Sequence, residues 1–155
     1  MKNLKTSLKK LTYTVATALL VVTGFVTTNV QAKANTSDSS FDFKFKGNST
    51  AYTPVRTKYN STSAYINVKT ISDGDPYYKA SLVKSNGQNF SKTWTYTFGT
   101  YYAENPKLAK HYIKNYAMED SKGSPVKVKI KARGYRGISA NYNWHSRGVW
   151  SPDSI

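Results

Sequence analysis

Residues 126–132 read VKVKIKA, an alternation in which Val126, Val128, Ile130 and Ala132 face one way and Lys127, Lys129 and Lys131 the other. Period-two alternation of branched apolar and charged residues specifies a strand with one buried and one wet face. The same pattern recurs in FDFKFK (41–46), which sets Phe41, Phe43 and Phe45 on one side, and in AYINVKTI (64–71), with Ala64, Ile66 and Val68 opposed to Tyr65. YYKASLV (77–83) and SKTWTYTF (91–98) are read as two further strands. The Asn86-Gly87 turn between them predicts a hairpin, with Trp94, Tyr96 and Phe98 directed to the core.

Turn formers separate these runs: Gly47-Asn48-Ser49-Thr50, Ser72-Asp73-Gly74-Asp75-Pro76 and Ser121-Lys122-Gly123-Ser124-Pro125. Pro54 assigns the extended piece at 52–59 to a sheet edge. Arg133-Gly134-Tyr135-Arg136-Gly137 is read as an interruption, with a returning strand over 138–144. Residues 104–119 fit both periods. Leu108, Tyr112 and Met118 give a helical stripe after Asn105-Pro106, while Tyr112, Lys114 and Tyr116 fit alternation. Lys107, Lys110 and Lys114 oppose a helix dipole there. The expected class is all-β: an antiparallel sandwich or barrel-like domain with one short helix around residues 107–118. An open sheet covered by that helix is the alternative.

The N-terminus carries a different message. Lys2, Lys5, Lys9 and Lys10 precede a mostly apolar, uncharged run over 11–30, and Ala32-Lys33-Ala34 offers small residues at signal-peptidase spacing. Residues 1–34 are read as a secretory signal peptide, cut after Ala34 or after Ala32; a retained membrane anchor is the rival. The expected organisation is then signal peptide 1–34, disordered tail 35–40, β domain 41–150 and C-terminal tail 151–155.

The whole chain of 155 residues carries a formal net charge of +15, and removal of residues 1–34 leaves 18 basic against eight acidic residues, or +10. Such a charge attracts an anionic wall polymer or an anionic lipid surface; an exported protein is not expected to meet nucleic acid physiologically. The chain has no cysteine, which removes disulfides and thiolate chemistry. With 13 Tyr, 3 Trp and 6 Phe it must fold on aromatic packing instead.

Motifs for catalysis are missing. Beyond the leader the histidines are His111 and His145, with no local ligand spacing for a metal and no nucleophile elbow. Asp73 and Asp75 read as turn formers, as do Glu119 and Asp120. No catalytic, cofactor or metal residue is assigned, no cofactor is expected, and the protein is expected not to be an enzyme. The binding candidates are Lys127, Lys129 and Lys131, extended by Arg133, Arg136 and Arg147, as a site for an anionic polymer. Against this stands the plain alternative that the lysines only solvate a strand face or guard an edge.

A basic leader, a Tyr- and Thr-rich cysteine-free domain and the ending Gly148-Val149-Trp150-Ser151-Pro152-Asp153-Ser154 resemble a family of small uncharacterised secreted proteins of bacilli and related Gram-positive bacteria. The likeness is most specific over 148–154 and extends vaguely over 112–132. It implies a compartment, but no activity. The terminal pattern is either a packed latch or a recognition tag. The expected role is binding of a cell-envelope component at or near the wall. The alternatives are a bacteriocin-like or toxin-like secreted protein and a small inhibitor or immunity protein. The sequence leaves the oligomeric state open.

Overall fold

The computed structural model describes residues 33–72, 77–99, 110–135 and 141–155. Residues 32–155 form one compact unit. Its elements are β1 (Ser39–Lys46), β2 (Thr50–Tyr52), β3 (Arg56–Lys58), β4 (Ala64–Ile71), β5 (Tyr77–Lys84), β6 (Tyr96–Gly99), β7 (Lys110–Ile113), α1 (Ala117–Asp120), β8 (Val126–Tyr135) and β9 (Asn143–Ser151). One sheet runs β1-β9-β4-β7; the other runs β2-β8-β5-β6, with β3 also on β8. Every pairing is antiparallel, and the two sheets pack together as an open sandwich rather than a closed barrel.

The alternating runs place the core as their patterns require. Phe41, Phe43 and Phe45 of β1 are buried, as are Ala64, Ile66 and Val68 of β4 and Val128, Ile130 and Ala132 of β8. Tyr78 of β5 joins the two layers: its ring lies 5.7 Å from Phe43, 5.6 Å from Phe45 and 5.1 Å from Phe98. Its hydroxyl accepts a bond from Ser146 Oγ at 3.2 Å, so a fully buried polar atom is satisfied. Burial pushes the Tyr78 phenol far above its ordinary range, so it stays protonated.

Pro54 does mark an edge. β2 and β3 pair with successive stretches of β8, Thr50↔Arg133 to Tyr52↔Lys131 and then Arg56↔Val128 to Lys58↔Val126. Between them Thr53 keeps the ladder whole: its N–H donates to Ile130 O at 3.0 Å, and its Oγ1 accepts from Ile130 N at 2.9 Å. A proline can follow because the next donor is not needed.

Several expectations change. The region 107–118, which fits both periods, divides into β7 and the one-turn α1, with residues 107–109 outside the described residues. Alternation prevails because Ile113 is buried while Tyr112 is exposed, and β7 pairs with β4 from Ala64↔Ile113 to Asn67↔Lys110. The hairpin of β5 with β6 exists, from Tyr77↔Gly99 to Ala80↔Tyr96, and the turn closes with Gly87 N–H on Lys84 O at 2.8 Å. Gly87 has φ +89°, which favours glycine. The second arm leaves the ladder before residue 96, however: Thr93 bridges Asn115, and Trp94 turns outward beside Tyr116, ring centroids 6.5 Å apart. Trp94 is therefore not a core residue, Tyr96 is half-buried, and Phe98 alone of the three is buried.

The Arg133-Gly134-Tyr135 stretch continues β8 instead of interrupting it. Gly134 permits this, since a Cβ there would stand 2.7 Å from the Trp144 ring and 2.9 Å from Phe45. The returning strand is β9, starting at Asn143; residues 136–140 lie outside the described residues. Neither presumed tail is loose. Asn35 Nδ2 donates to Thr57 O at 2.9 Å, Ser39 and Ser40 belong to β1, and Ser151, Pro152 and Asp153 are buried. The terminal pattern is a packed latch, held by a buried ion pair between Lys58 Nζ and Asp153 Oδ1 at 3.0 Å.

Candidate functional site

β8 is an interior strand, flanked by β2 and β3 on one side and β5 on the other. Its lysines therefore cannot be guarding an edge. Lys127, Lys129, Lys131 and Arg133 stand on the outer face, about 7 Å apart along the strand. Lys79 of β5, directly opposite Arg133, adds a fifth cation to the same face. Among the described residues no acid belongs to β2, β5, β6 or β8.

Aromatic rings set the pose of these cations. Lys129 Nζ lies 4.2 Å over the Tyr52 ring, while Lys79 Nζ and the Arg133 guanidinium lie 5.6 and 5.9 Å from Tyr135. Tyr135 is itself stacked on Tyr77 at 5.1 Å and 7°. The ring faces hold the cations electrostatically without neutralising them.

The arm that leaves the β5–β6 ladder completes the site. Asn89, Thr93 and Thr95 rise beside Lys79, Ser81, Lys131, Arg133 and Tyr135 to enclose an open cleft of about 230 Å³. On its far side this arm is tied down through Asp120, which accepts from both Ser91 N and Ser91 Oγ. Those bonds hold the exposed Asp120 carboxyl below its ordinary pKa. The cleft thus combines three cations with hydroxyl and amide groups, a donor set suited to phosphate or sulfate oxygens.

The six candidates separate in space. Lys127, Lys129, Lys131 and Arg133 share one face, and Arg136 lies outside the described residues. Arg147 belongs to β9 in the other sheet, where its Nε donates to Asp42 Oδ2 at 3.1 Å, so it does not extend the row. Distance along the chain misled here; sheet membership decides. Lys79, Asn89, Thr93 and Thr95 were missed because their grouping depends on the β5–β8 register and on a departure from the hairpin. The only trace of Lys79 in sequence is its place between Tyr78 and Ala80 in an alternating strand.

The histidines do not meet. His111 on β7 and His145 on β9 are separated by β4, and no group of three or more metal-ligating side chains occurs among the described residues. Burial lowers the His111 pKa, and its ring sits edge-on to Phe98 at 4.8 Å. No helix among the described residues is long and apolar enough to cross a membrane; the apolar run 11–30, on which the leader over 1–34 and its anchor alternative both rest, lies outside them.

A second cleft, of about 380 Å³, lies at the chain ends beside Tyr65, Lys110, Tyr112 and Asp153. It mixes both charge signs, Lys110 with Asp38 and Asp153, so it offers an anion no concentrated charge.

A family model described as "Protein of unknown function (DUF2712)" matches residues 28–154, most of the chain. No curated protein and no solved structure matches it.

Proposed function

The chain belongs to the DUF2712 family, and from that premise we propose that it is an exported, non-catalytic protein that binds an anionic polymer of the cell envelope. The observation that carries this reading is the cleft in which Lys79, Lys131 and Arg133 converge with no described acid on their sheet. Concentrated like charge costs folding energy through self-repulsion, and a surface serving only solubility gains more from interspersed signs. The lysines are not edge guards, because both sides of β8 are paired.

A polymer of phosphate groups on a polyol backbone suits the face better than a lipid surface does. Ser81, Asn89, Thr93 and Thr95 offer hydrogen bonds to polyol hydroxyls, and the row from Lys127 to Arg133 extends the contact beyond one phosphate. Membrane insertion would call for a broad apolar patch around the cations, whereas the exposed apolar side chains near them are separate: Tyr52 lies under Lys129, Val55 follows Pro54, and Trp94 on the arm packs beside Tyr116. Bacilli and related Gram-positive bacteria, whose walls carry such polymers, are the source proposed from the terminal pattern.

The test is a pull-down of the processed protein on isolated walls, anionic liposomes and neutral liposomes across a salt series. Retention on walls that weakens as salt rises supports the proposal. Preference for anionic liposomes, or dye release from them, would replace it with the membrane-active reading. Failure to bind any polyanion at low salt would overturn it.

A further inference from the structure

Asp153 is buried, and its carboxylate gathers donors from three parts of the chain. Oδ1 accepts from Lys58 Nζ at 3.0 Å. Oδ2 accepts from Tyr59 N at 3.1 Å and from Asn35 N at 2.7 Å, the shortest contact the carboxylate makes. Asn35 is fixed at its other polar atoms too. Its Oδ1 accepts from Arg56 Nη2 at 2.6 Å, its Nδ2 donates to Thr57 O at 2.9 Å, and its carbonyl accepts from Asp153 N at 3.4 Å. Arg56 carries the clamp onward, donating to Ser37 O at 2.7 Å and Trp150 O at 3.1 Å.

Asn35 is also the residue that follows Ala32-Lys33-Ala34. Its backbone nitrogen, pinned against a buried carboxylate, is the atom that changes chemistry when the Ala34–Asn35 bond is cut. We propose that Ala34–Asn35 is the processing site and that the new α-ammonium of Asn35 forms an ion pair with Asp153 that locks the mature fold. A signal-peptidase-type protease adds water across the amide: Ala34 leaves as a carboxylate, and the Asn35 nitrogen takes up protons to become an ammonium. One neutral donor at Oδ2 becomes a charged one, and charge-assisted bonds are roughly twice as strong.

Cleavage after Ala32 would not do this. It would put the ammonium on Lys33, which is exposed, and leave only an amide N–H at Asp153. The geometry thus discriminates between two cuts that the sequence leaves open. It also makes the first residue of the mature protein a structural ligand.

Two measurements test the proposal. Intact mass and N-terminal sequencing of the protein exported from a Gram-positive host should give Asn35 as the first residue. Residues 35–155 and 33–155, both containing every described element, are then compared by thermal unfolding. The form starting at Asn35 should melt roughly 3–6 °C higher near neutral pH. A carboxylate partner raises the folded pKa of the amine. The advantage is therefore fully present below the unfolded value of about 7.7–8.0 and is lost as pH rises through the folded one. A product beginning at Lys33, an uncut product, equal melting temperatures, or an advantage that does not change between about pH 7 and pH 10 would each overturn it. None of these outcomes depends on polymer binding by the basic face.

Discussion

Lys58 Nζ stands 3.0 Å from Asp153 Oδ1, with both side chains closed to solvent, and the pair fastens the last residues of the chain to the edge strand β3. The ammonium has two further acceptors, Thr62 O at 2.5 Å and Pro152 O at 2.7 Å, so each of its protons has a partner. Burial lowers the Lys58 pKa, and the bond to Asp153 opposes that shift. Removing either partner strands a buried charge: Lys58→Met or Asp153→Asn should each destabilise by about 3–5 kcal/mol. Urea unfolding checks this, and Lys58→Met/Asp153→Asn together should cost clearly less than the sum of the two single changes.

The basic face yields a directional prediction. Lys79→Gln, Lys131→Gln and Arg133→Gln should each weaken binding to a phosphate polymer by about fivefold at low salt and reduce its salt dependence. Arg147→Gln should leave both unchanged, because that arginine sits on the other sheet against Asp42. Titration of the purified variants with a polyglycerol phosphate separates the two sets. An equal loss in Arg147→Gln would point to bulk charge rather than a site.

Gly148 should tolerate no side chain. A Cβ there would lie 2.1 Å from Asn67 O and 2.8 Å from the Phe41 ring, one contact being with the backbone of a paired strand. Gly148→Ala should cost roughly 1–3 kcal/mol, toward the upper end because backbone cannot rotate aside. Gly123→Ala meets no atom within 4 Å and tests something else: its φ of +79° makes the cost conformational. Urea midpoints of the two variants would rank Gly148→Ala as the worse.

His111 should give stability a pH dependence in the mildly acidic range. Burial lowers its folded pKa below the ordinary value of about 6.5, so the folded state binds the proton more weakly than the unfolded one does. The contribution is complete above the unfolded value and is lost as pH falls through it toward the lower folded value. Urea midpoints at pH 7.5 and pH 5 should differ less in His111→Gln than in the parent.

The core was legible wherever one face of a strand is apolar and the other is not. Phe41, Phe43 and Phe45, or Val128, Ile130 and Ala132, declare both strand and burial through a period of two. Trp94 was misplaced because alternation continues through residues 91–98 although the ladder does not; the competing attachment, Thr93 to Asn115, is long-range. Asp153 was read as part of a free end because a carboxylate near the end of a chain is ordinarily solvated. Its meeting with Lys58, 95 residues away, together with the backbone donors of Tyr59 and Asn35, makes burial tolerable. For the candidate site, the lysine row could be read from one strand. The cleft could not, since Lys79 meets Arg133 only through strand register and Thr93 arrives on an arm that has left its hairpin.

The pairing of β1 with β9, from Ser39↔Trp150 to Lys46↔Asn143, has a temporal meaning. Among the described residues the first strand of the sandwich pairs only with the last one, so β1 has no sheet neighbour until β9 has been made. Phe41, Phe43 and Phe45 have no sheet to join before that, and such non-local closure is intrinsically slow. Closure of this sheet is thus a late, long-range event, in which Phe41, Phe43 and Phe45 are covered only once β9 has come back beside them.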